Sequence, residues 1–367
     1  MNKELLPQFE KLLQSPPPGR ASVLPRVPDK IVLYGAGSMG EMALDCMRKA
    51  EMCPAYLVDA YSGKKEINGI PVIHPDNVAE LDKDEALFVV CIATLPYVPL
   101  KTYLTDLGCT KVCHFYDLSE SDFPHIMPNG WLLDSVDSVF LLRVYAALAH
   151  DDFSAAHFLQ FLWWRIARVE KINADFPVLS GMKYFKAPCI PPASEAEFLI
   201  DCGVHSGQTI ESFKEYAGDN FAGVHGFEPD PGMYKIAQER FSASGINIEP
   251  LAVSDSVREA SFRGGLDFAS TLAVDGDIVV GTVNLDSLQG VKPTFIKIHV
   301  EGEELAVLRG ARKLVEQYRP VLMVLADHSP DGVAGIPEFL MSLDGYRLYF
   351  YLHDYCGNSA IFYAVPE

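Results

Sequence analysis

Two turns in this sequence carry residue types that hold a phosphate, a ribose or an amino-acid tail. The first reads Gly35-Ala36-Gly37-Ser38-Met39-Gly40 and follows the apolar run Lys30-Ile31-Val32-Leu33-Tyr34. Glycines spaced G-x-G-x-x-G between a strand and a helix permit a tight turn and let a pyrophosphate approach the helix N-terminus. Asp59 lies 24 residues after Gly35, at the end of the next apolar run, where a carboxylate can hold a ribose hydroxyl. The same spacing occurs in nucleotide-type folds that bind nothing, and no hydride-transfer partner follows nearby, so a nucleotide here (NAD or a nucleotide-sugar) stays open. The second turn is Asp201-x-Gly203-x-x-x-Gly207, with Glu228 placed 25 residues after Gly203. Glu228 can take two hydrogen bonds from ribose hydroxyls, and Asp201 can reach an ammonium group. That pair suits S-adenosylmethionine, whereas NAD would want pyrophosphate contacts and a tighter turn. His205, inside the turn, reads as a contact of the cofactor loop.

The elements that must position these turns alternate strand and helix. Residues 30–34, 55–58, 86–93 and 111–115 read as strands, with helices at 38–50, 76–81 and 100–107 between them. The alternation returns at 198–200, 225–227, 246–249, 294–299 and 321–326, with helices at 209–216, 231–243, 303–317 and 336–343. Residues 346–352 and 360–365 flank a turn and predict a closing antiparallel hairpin. Residues 119–195 break the rhythm with two helices, 134–149 and 153–173, in which Trp163 and Trp164 read as packing. A first amphipathic helix at 4–14 ends at Pro16-Pro17-Pro18-Gly19. The expected division is therefore 1–29 as helix and linker, 30–118 as a nucleotide-binding-type unit, 119–195 as a helical connector and 196–367 as a second α/β unit.

Asp and Glu number 49 against 30 Lys and Arg, a formal charge of -19 in 367 residues. Such a field repels polyanions, so nucleic acid and anionic membranes are not expected partners. The longest unbroken apolar run, 86–93, is too short for a spanning helix of ~20 residues. The first residues lack the apolar core of a signal peptide, and a cytoplasmic location is expected. Eight cysteines in a chain of this length do not make a disulfide scaffold. Cys109, Cys113 and His114 lie in a predicted strand with no second ligand cluster, and no metal is expected.

Residues 196–327 resemble the FkbM family of S-adenosylmethionine-dependent methyltransferases. The resemblance rests on Phe198-Leu-Ile-Asp-Cys-Gly-Val-His-Ser-Gly-Gln-Thr209, Gly226-Phe-Glu-Pro229, Leu251-Ala-Val-Ser-Asp255, Val283-Asn-Leu-Asp-Ser-Leu288, Phe295-Ile-Lys-Ile-His-Val-Glu-Gly302 and Glu304-Leu-Ala-Val-Leu-Arg-Gly-Ala311, in family order. Tyr184-Phe185 resembles the lead-in of members with an N-terminal extension. Residues 30–118, above all Ile67-Asn-Gly-Ile-Pro-Val72, resemble the small Rossmann-like domain such members carry. The resemblance implies two doubly wound α/β sheets, the second a class I methyltransferase fold with a terminal hairpin, joined by a helical segment. It implies S-adenosylmethionine as cofactor and methylation of a hydroxyl on a sugar or secondary metabolite, so the partner is a small-molecule or glycan acceptor. By matching motifs, Asp201, Gly203 and Gly207 would line the methionine end, Glu228 the ribose, and Ala252 and Asp255 the adenine or the rim.

The chain departs from the family pattern where acidic groups are usual. His299 stands where the family has an aspartate, Val204 and Ser206 stand in the first turn, and the fifth strand runs into Ala326-Asp327-His328. A hydroxyl acceptor needs its proton removed, and His299, Asp327 and His328 are the candidates at strand ends. If His299 is the base, transfer should rise with pH through its ordinary value near 6.5. Glu301 reads as a support for Gly302 and the next helix. Two other readings stand beside this one: an NAD(P)-dependent oxidoreductase, and an inactive relative that binds ligand without turnover. The acceptor and any homo-oligomeric state are not legible.

Overall fold

The computed structural model describes residues 4–14, 27–133, 135–194, 196–242, 245–264, 271–272, 276 and 278–367. The proline-rich stretch read as a linker after the first helix lies outside the described residues up to 26. The first sheet contains β1 (Ile31–Tyr34), β2 (Tyr56–Val58), β3 (Glu66–Ile67), β4 (Ile70–Ile73), β5 (Leu87–Val90) and β6 (Lys111–His114), ordered β3-β4-β2-β1-β5-β6. Every pair is parallel except the β3–β4 hairpin. β1 and β5 are buried along their whole length, as their continuous apolar runs require in a sheet covered on both faces.

A second sheet is built from β7 (Glu197–Cys202), β8 (Phe221–Phe227) and β9 (Ile246–Glu249). A small four-stranded sheet follows: β10 (Ala252–Val253), β11 (Glu259–Arg263), β12 (Thr271–Leu272) and β13 (Ile278–Val283). The chain then completes the second sheet with β14 (Phe295–Ile298), β15 (Val321–Leu325), β16 (Tyr346–Leu352) and β17 (Ala360–Pro366). Its order is β16-β17-β15-β14-β7-β8-β9, and only β17 runs antiparallel to its neighbours. Strand order reverses between β7 and β14, as it does between β1 and β5 in the first sheet. Crevices that bind ligands form at such reversals, beyond the carboxyl ends of the strands.

The connector joins both sheets. Helix Ser138–Leu148 starts at Asp137, whose side chain accepts from the Phe140 amide, and helix Asp152–Ala167 starts at Asp151 in the same way. The second helix ends six residues earlier than the sequence predicts. Arg168 takes a left-handed conformation there (φ 52°) because its buried guanidinium pairs with Asp117 at 3.3 Å. A helix the sequence reading lacks, Phe115–Asp122, is opened by a capping box between His114 and Asp117. The predicted helix 303–317 is two helices, Glu304–Arg309 and Arg312–Tyr318. Trp164 is buried in the core of the first sheet, while Phe158, Phe161 and Leu162 of the same helix pack into the second. The first helix, Leu5–Gln14, also joins the second core: the Phe9 ring packs 4.5 Å from Tyr145 at a tilt and stacks 6.1 Å from Phe158.

Two buried histidines lock the connector to the hairpin. His157 accepts the Leu352 amide on Nδ1 (3.1 Å) and donates from Nε2 to the Pro177 carbonyl (3.1 Å). His353 bonds the Leu179 carbonyl (3.1 Å) and the Tyr363 hydroxyl (2.7 Å). Burial pushes His157 down to about 4 and His353 down to about 3. The unfolded chain takes up protons at both near pH 6.5, whereas the folded chain does not until those lower values. Between them the unfolded state binds more protons, so stability is full above pH 6.5 and falls as pH falls. A denaturant titration at pH 7 and pH 5 should show a loss on the order of 2–4 kcal/mol at the lower pH, at about 1.4 kcal/mol per pH unit per group. A flat profile would contradict the neutral, buried assignment.

Candidate active site

The β7 turn opens on a cavity of about 330 Å³ whose walls include Lys183, Tyr184, Gly203, His205, Glu228 and Ala252. The turn is fixed by backbone bonds: the Gly203 and Val204 amides both donate to the Phe227 carbonyl at 3.0 Å. Glu228 sits at the end of β8, almost fully buried. Its Oε2 accepts the His205 amide (2.6 Å) and its Oε1 the Asp230 amide (2.9 Å). Burial pushes its carboxyl above the usual range, against the pull of those two amides. Each oxygen keeps a free lone pair, which is the acceptor pair that two adjacent ribose hydroxyls can donate to. Leu251, Val253 and Phe262 add an apolar wall suited to a base, and Gln208 and Thr209 line the cavity at the start of helix Gln208–Ala217. These residues fit S-adenosylmethionine.

Three expected contacts lie elsewhere. Asp201 is fully buried and does not line the cavity: its Oδ1 lies 2.9 Å from Lys297 Nζ. Lys297 in turn donates to the carbonyls of Cys202 and Gly203. The pair ties β14 to the turn, so Asp201 holds the loop through Lys297 rather than the ammonium group of a ligand. Gly207 is a packing position, where a Cβ would lie 2.2 Å from the Phe241 ring. Asp255 is exposed, takes a bond from the Ser256 hydroxyl (2.9 Å) and is not on the cavity wall.

A second cavity of about 670 Å³ lies between the carboxyl ends of the two sheets. Gly35, Gly37, Asp59 and Cys91 form its wall on one side and His299, Asp327 and His328 on the other. Lys183, His299 and Glu301 line both cavities, so the two meet at these three side chains. Gly40 is not on the wall; a Cβ there would lie 2.1 Å from the Gly35 carbonyl oxygen. Asp59 is largely consumed by its own loop. Its Oδ2 accepts the Ala36 amide (2.9 Å) and its Oδ1 the amides of Tyr61 (2.7 Å) and Ser62 (2.8 Å). With about four lone-pair sites on a carboxylate, one remains, too few for a bidentate ribose contact.

At the seam, His299 Nε2 lies 2.9 Å from Glu301 Oε1, and His328 Nε2 lies 3.2 Å from the same oxygen. The two rings stack with centroids 5.0 Å apart. The far nitrogens are engaged as well: the Tyr184 hydroxyl lies 3.0 Å from His299 Nδ1, and Glu304 Oε1 lies 2.6 Å from His328 Nδ1. Burial holds His299 well below 6.5, against the pull of Glu301. No titration of His299 near 6.5 is therefore expected, which corrects the sequence-based pH profile. Burial also acts against a charged His328, but Glu301, Glu304 and Asp327 outweigh it and hold this imidazole charged, well above 6.5. His328 is thus no base. Asp327 differs: its Oδ2 accepts the Ser359 amide (2.9 Å), while its buried Oδ1 has no hydrogen-bond partner among the described residues. Burial raises its proton affinity above that of an ordinary carboxylate.

Sequence reasoning assigned Glu301 a supporting part and left out Lys183 and Lys297. The signal for Glu301 was its place two residues past His299, at the end of a strand beside a strand-order reversal. The glutamate that supports the loop is Glu304, which accepts the Val300 amide (3.1 Å) and the Gly302 amide (3.0 Å). Cys109 and Cys113 are buried and His114 caps a helix, as befits a strand and its exit.

The sheet order, with β17 reversed against its neighbours, is the arrangement of a class I methyltransferase fold. Residues 201–357 match the family described as the methyltransferase FkbM domain, so the chain carries a methyltransferase domain of that kind. It is similar in fold to the crystal structure of the methyltransferase FkbM from Methylobacillus flagellatus, at 18% identity and a TM-score of 0.65, covering 99% of this chain and 98% of that one. An S-adenosylhomocysteine-bound methyltransferase from Podospora anserina is 10% identical, with 75% of this chain and 99% of that one covered and a TM-score of 0.31. No curated protein sequence matches significantly. Among the described residues, no helix is long and apolar enough to cross a membrane.

Proposed function

We propose that the protein methylates a hydroxyl of a sugar-like or secondary-metabolite acceptor, with S-adenosylmethionine in the first cavity and the acceptor in the second. One observation carries this reading: the two cavities meet at Lys183, His299 and Glu301, so groups held on either side face each other across titratable side chains. When bound, S-adenosylmethionine supplies an electrophilic methyl group on a sulfonium centre. Glu228 holds the ribose, and the Gly203 turn lets the backbone come close to the methionine end. Placing the two reactants in line, in a site closed to water, is the main work asked of the protein.

The acceptor's proton must leave as the new O–C bond forms. Asp327 lines this cavity with a buried oxygen that has no hydrogen-bond partner among the described residues and with a raised proton affinity, which suits a general base. His299 has both nitrogens engaged, by Glu301 and Tyr184, so it lines the seam rather than taking the proton. The Gly35–Gly40 turn contributes the far wall of the acceptor cavity. A nucleotide-sugar acceptor would use it, whereas Asp59 gives a dinucleotide little to hold.

The test is release of S-adenosylhomocysteine by the full chain against a panel of hydroxyl acceptors: free sugars, nucleotide-sugars and hydroxylated small molecules. Acceptor-dependent release with the methyl group found on oxygen is expected. No stimulation by any hydroxyl acceptor, or a methyl group on nitrogen or carbon, would overturn the reading.

A further inference from the structure

We propose that His299, Glu301 and His328 form a binding site for a divalent first-row transition metal at the seam of the two cavities. Their donor atoms, two imidazole nitrogens and one carboxylate oxygen, all lie within 4.8 Å of one another. Ligands at about 2.0–2.1 Å from one ion sit roughly 3.3 Å apart in tetrahedral geometry. The observed 2.9 Å and 3.2 Å from Glu301 Oε1 to the two Nε2 atoms match that spacing closely.

Four further observations fit a metal centre. The distal nitrogen of each histidine is held by an oxygen, Tyr184 for His299 and Glu304 for His328, the arrangement that orients imidazole ligands and fixes their tautomer. Both Nε2 atoms face the same Glu301 oxygen, and a cation bound there would take the place of the proton that Glu301, Glu304 and Asp327 hold on His328. Glu301 adopts a left-handed backbone (φ 52°), a conformation that costs a non-glycine residue energy and concentrates at functional sites. Asp327, with its unpartnered buried oxygen, lines the same cavity. Two imidazoles with one carboxylate select Zn²⁺, Co²⁺, Mn²⁺ or Fe²⁺ over Mg²⁺ and Ca²⁺, which favour all-oxygen sets.

Three protein ligands on one side leave positions open to the cavities. For the role of the site, and only there, the inference rests on the methyl-transfer reading. Held by His299, Glu301 and His328, a cation would polarise the acceptor hydroxyl, whose proton would pass to Asp327 as its oxygen displaced the thioether from the methyl carbon. The products would be an ether, a neutral thioether and protonated Asp327.

The experiment is calorimetric titration of the chelator-treated full chain with Zn²⁺ and with Co²⁺, the latter followed also by visible absorption. One equivalent is expected to bind, with a Co²⁺ spectrum of low-symmetry, four- or five-coordinate type. Glu301→Gln and His328→Ala should each weaken binding at least 100-fold. Glu304→Gln should weaken it 10–100-fold, and His125→Ala, at an exposed histidine, should leave it unchanged. S-adenosylhomocysteine affinity and thermal unfolding of each variant verify that the fold is intact. No stoichiometric uptake by the wild type, or equal uptake by folded Glu301→Gln and His328→Ala, would overturn the proposal. Metal uptake without S-adenosylhomocysteine binding would instead contradict the methyltransferase reading and leave the metal site standing.

Discussion

Asp327→Asn is expected to lower methyl transfer 10²–10⁴-fold while S-adenosylmethionine binds with unchanged affinity. The variant keeps the shape of the side chain, and an amide oxygen can still accept the Ser359 amide. The position of residue 327 does not depend on its carboxylate, because its carbonyl accepts from Trp131 Nε1 (2.9 Å) and from Arg165 Nη2 (2.8 Å). What the variant loses is the capacity to take a proton at the buried, unpartnered oxygen. In the wild type, transfer should rise with pH through a value above the ordinary carboxylate value of 3.8, because burial raises Asp327 against the pull of His328, Arg165 and Lys183. That limb should vanish in the variant. Steady-state rates across pH for both proteins, with affinity measured separately, check this. Near-normal turnover in Asp327→Asn would remove it from the chemistry.

Gly203→Ala is expected to abolish cofactor binding, with a loss of at least 100-fold in affinity, and to destabilise the fold by about 3–5 kcal/mol. Gly203 has φ +86°, and a Cβ there would lie 2.0 Å from the His299 carbonyl oxygen. Neither side can yield cheaply. The Gly203 amide is bonded to the Phe227 carbonyl at 3.0 Å and the His299 amide to the Cys202 carbonyl at 3.1 Å. Relief would require β7 and β14 to separate at the point where the site forms. Gly63→Ala is the matched comparison: φ is +62° but nothing lies within 4 Å of the added carbon, so only backbone strain of about 1–2 kcal/mol applies. Chemical denaturation and S-adenosylhomocysteine titration of both variants test the contrast. Equal effects would show that the close approach of the two strands is not what Gly203 serves.

Most of the scaffold was legible because buried parallel strands are written as short apolar runs between turn residues. β9 and the strand at 346–352 fall on the expected residues, and the others differ by a few positions at their ends. The β3–β4 hairpin escaped the period argument because two and four residues are too few to show alternation. Its signal is the turn itself, where Asn68 (φ 52°) and Gly69 (φ 79°) supply two consecutive positive φ values. The small sheet of β10 to β13 also went unread; its segments are short and are set by pairing with partners distant in sequence rather than by local pattern.

The site was legible to the extent that its chemistry follows strand ends. Gly203, Glu228, His299 and Asp327 stand where strands deliver them, beyond the carboxyl ends of β7, β8, β14 and β15. Asp201 was misplaced because spacing cannot show that Lys297, on the neighbouring strand, lies close enough to claim its carboxylate. Glu301 was undervalued because the convergence of His299 and His328 on one of its oxygens depends on β14 and β15 being adjacent. The meeting of the two cavities depends on how the two sheets face each other, and no local motif encodes that.

The central claim is that the cavity at the end of β7 binds S-adenosylmethionine through Glu228. Calorimetric titration of S-adenosylhomocysteine into the full wild-type chain and into Glu228→Ala tests it most directly. The account predicts one site per chain in the wild type and an affinity at least tenfold weaker in the variant, since two charge-assisted bonds of about 1.5–3 kcal/mol each are lost. Absence of binding to the wild type, or the same affinity in a folded Glu228→Ala, would contradict it.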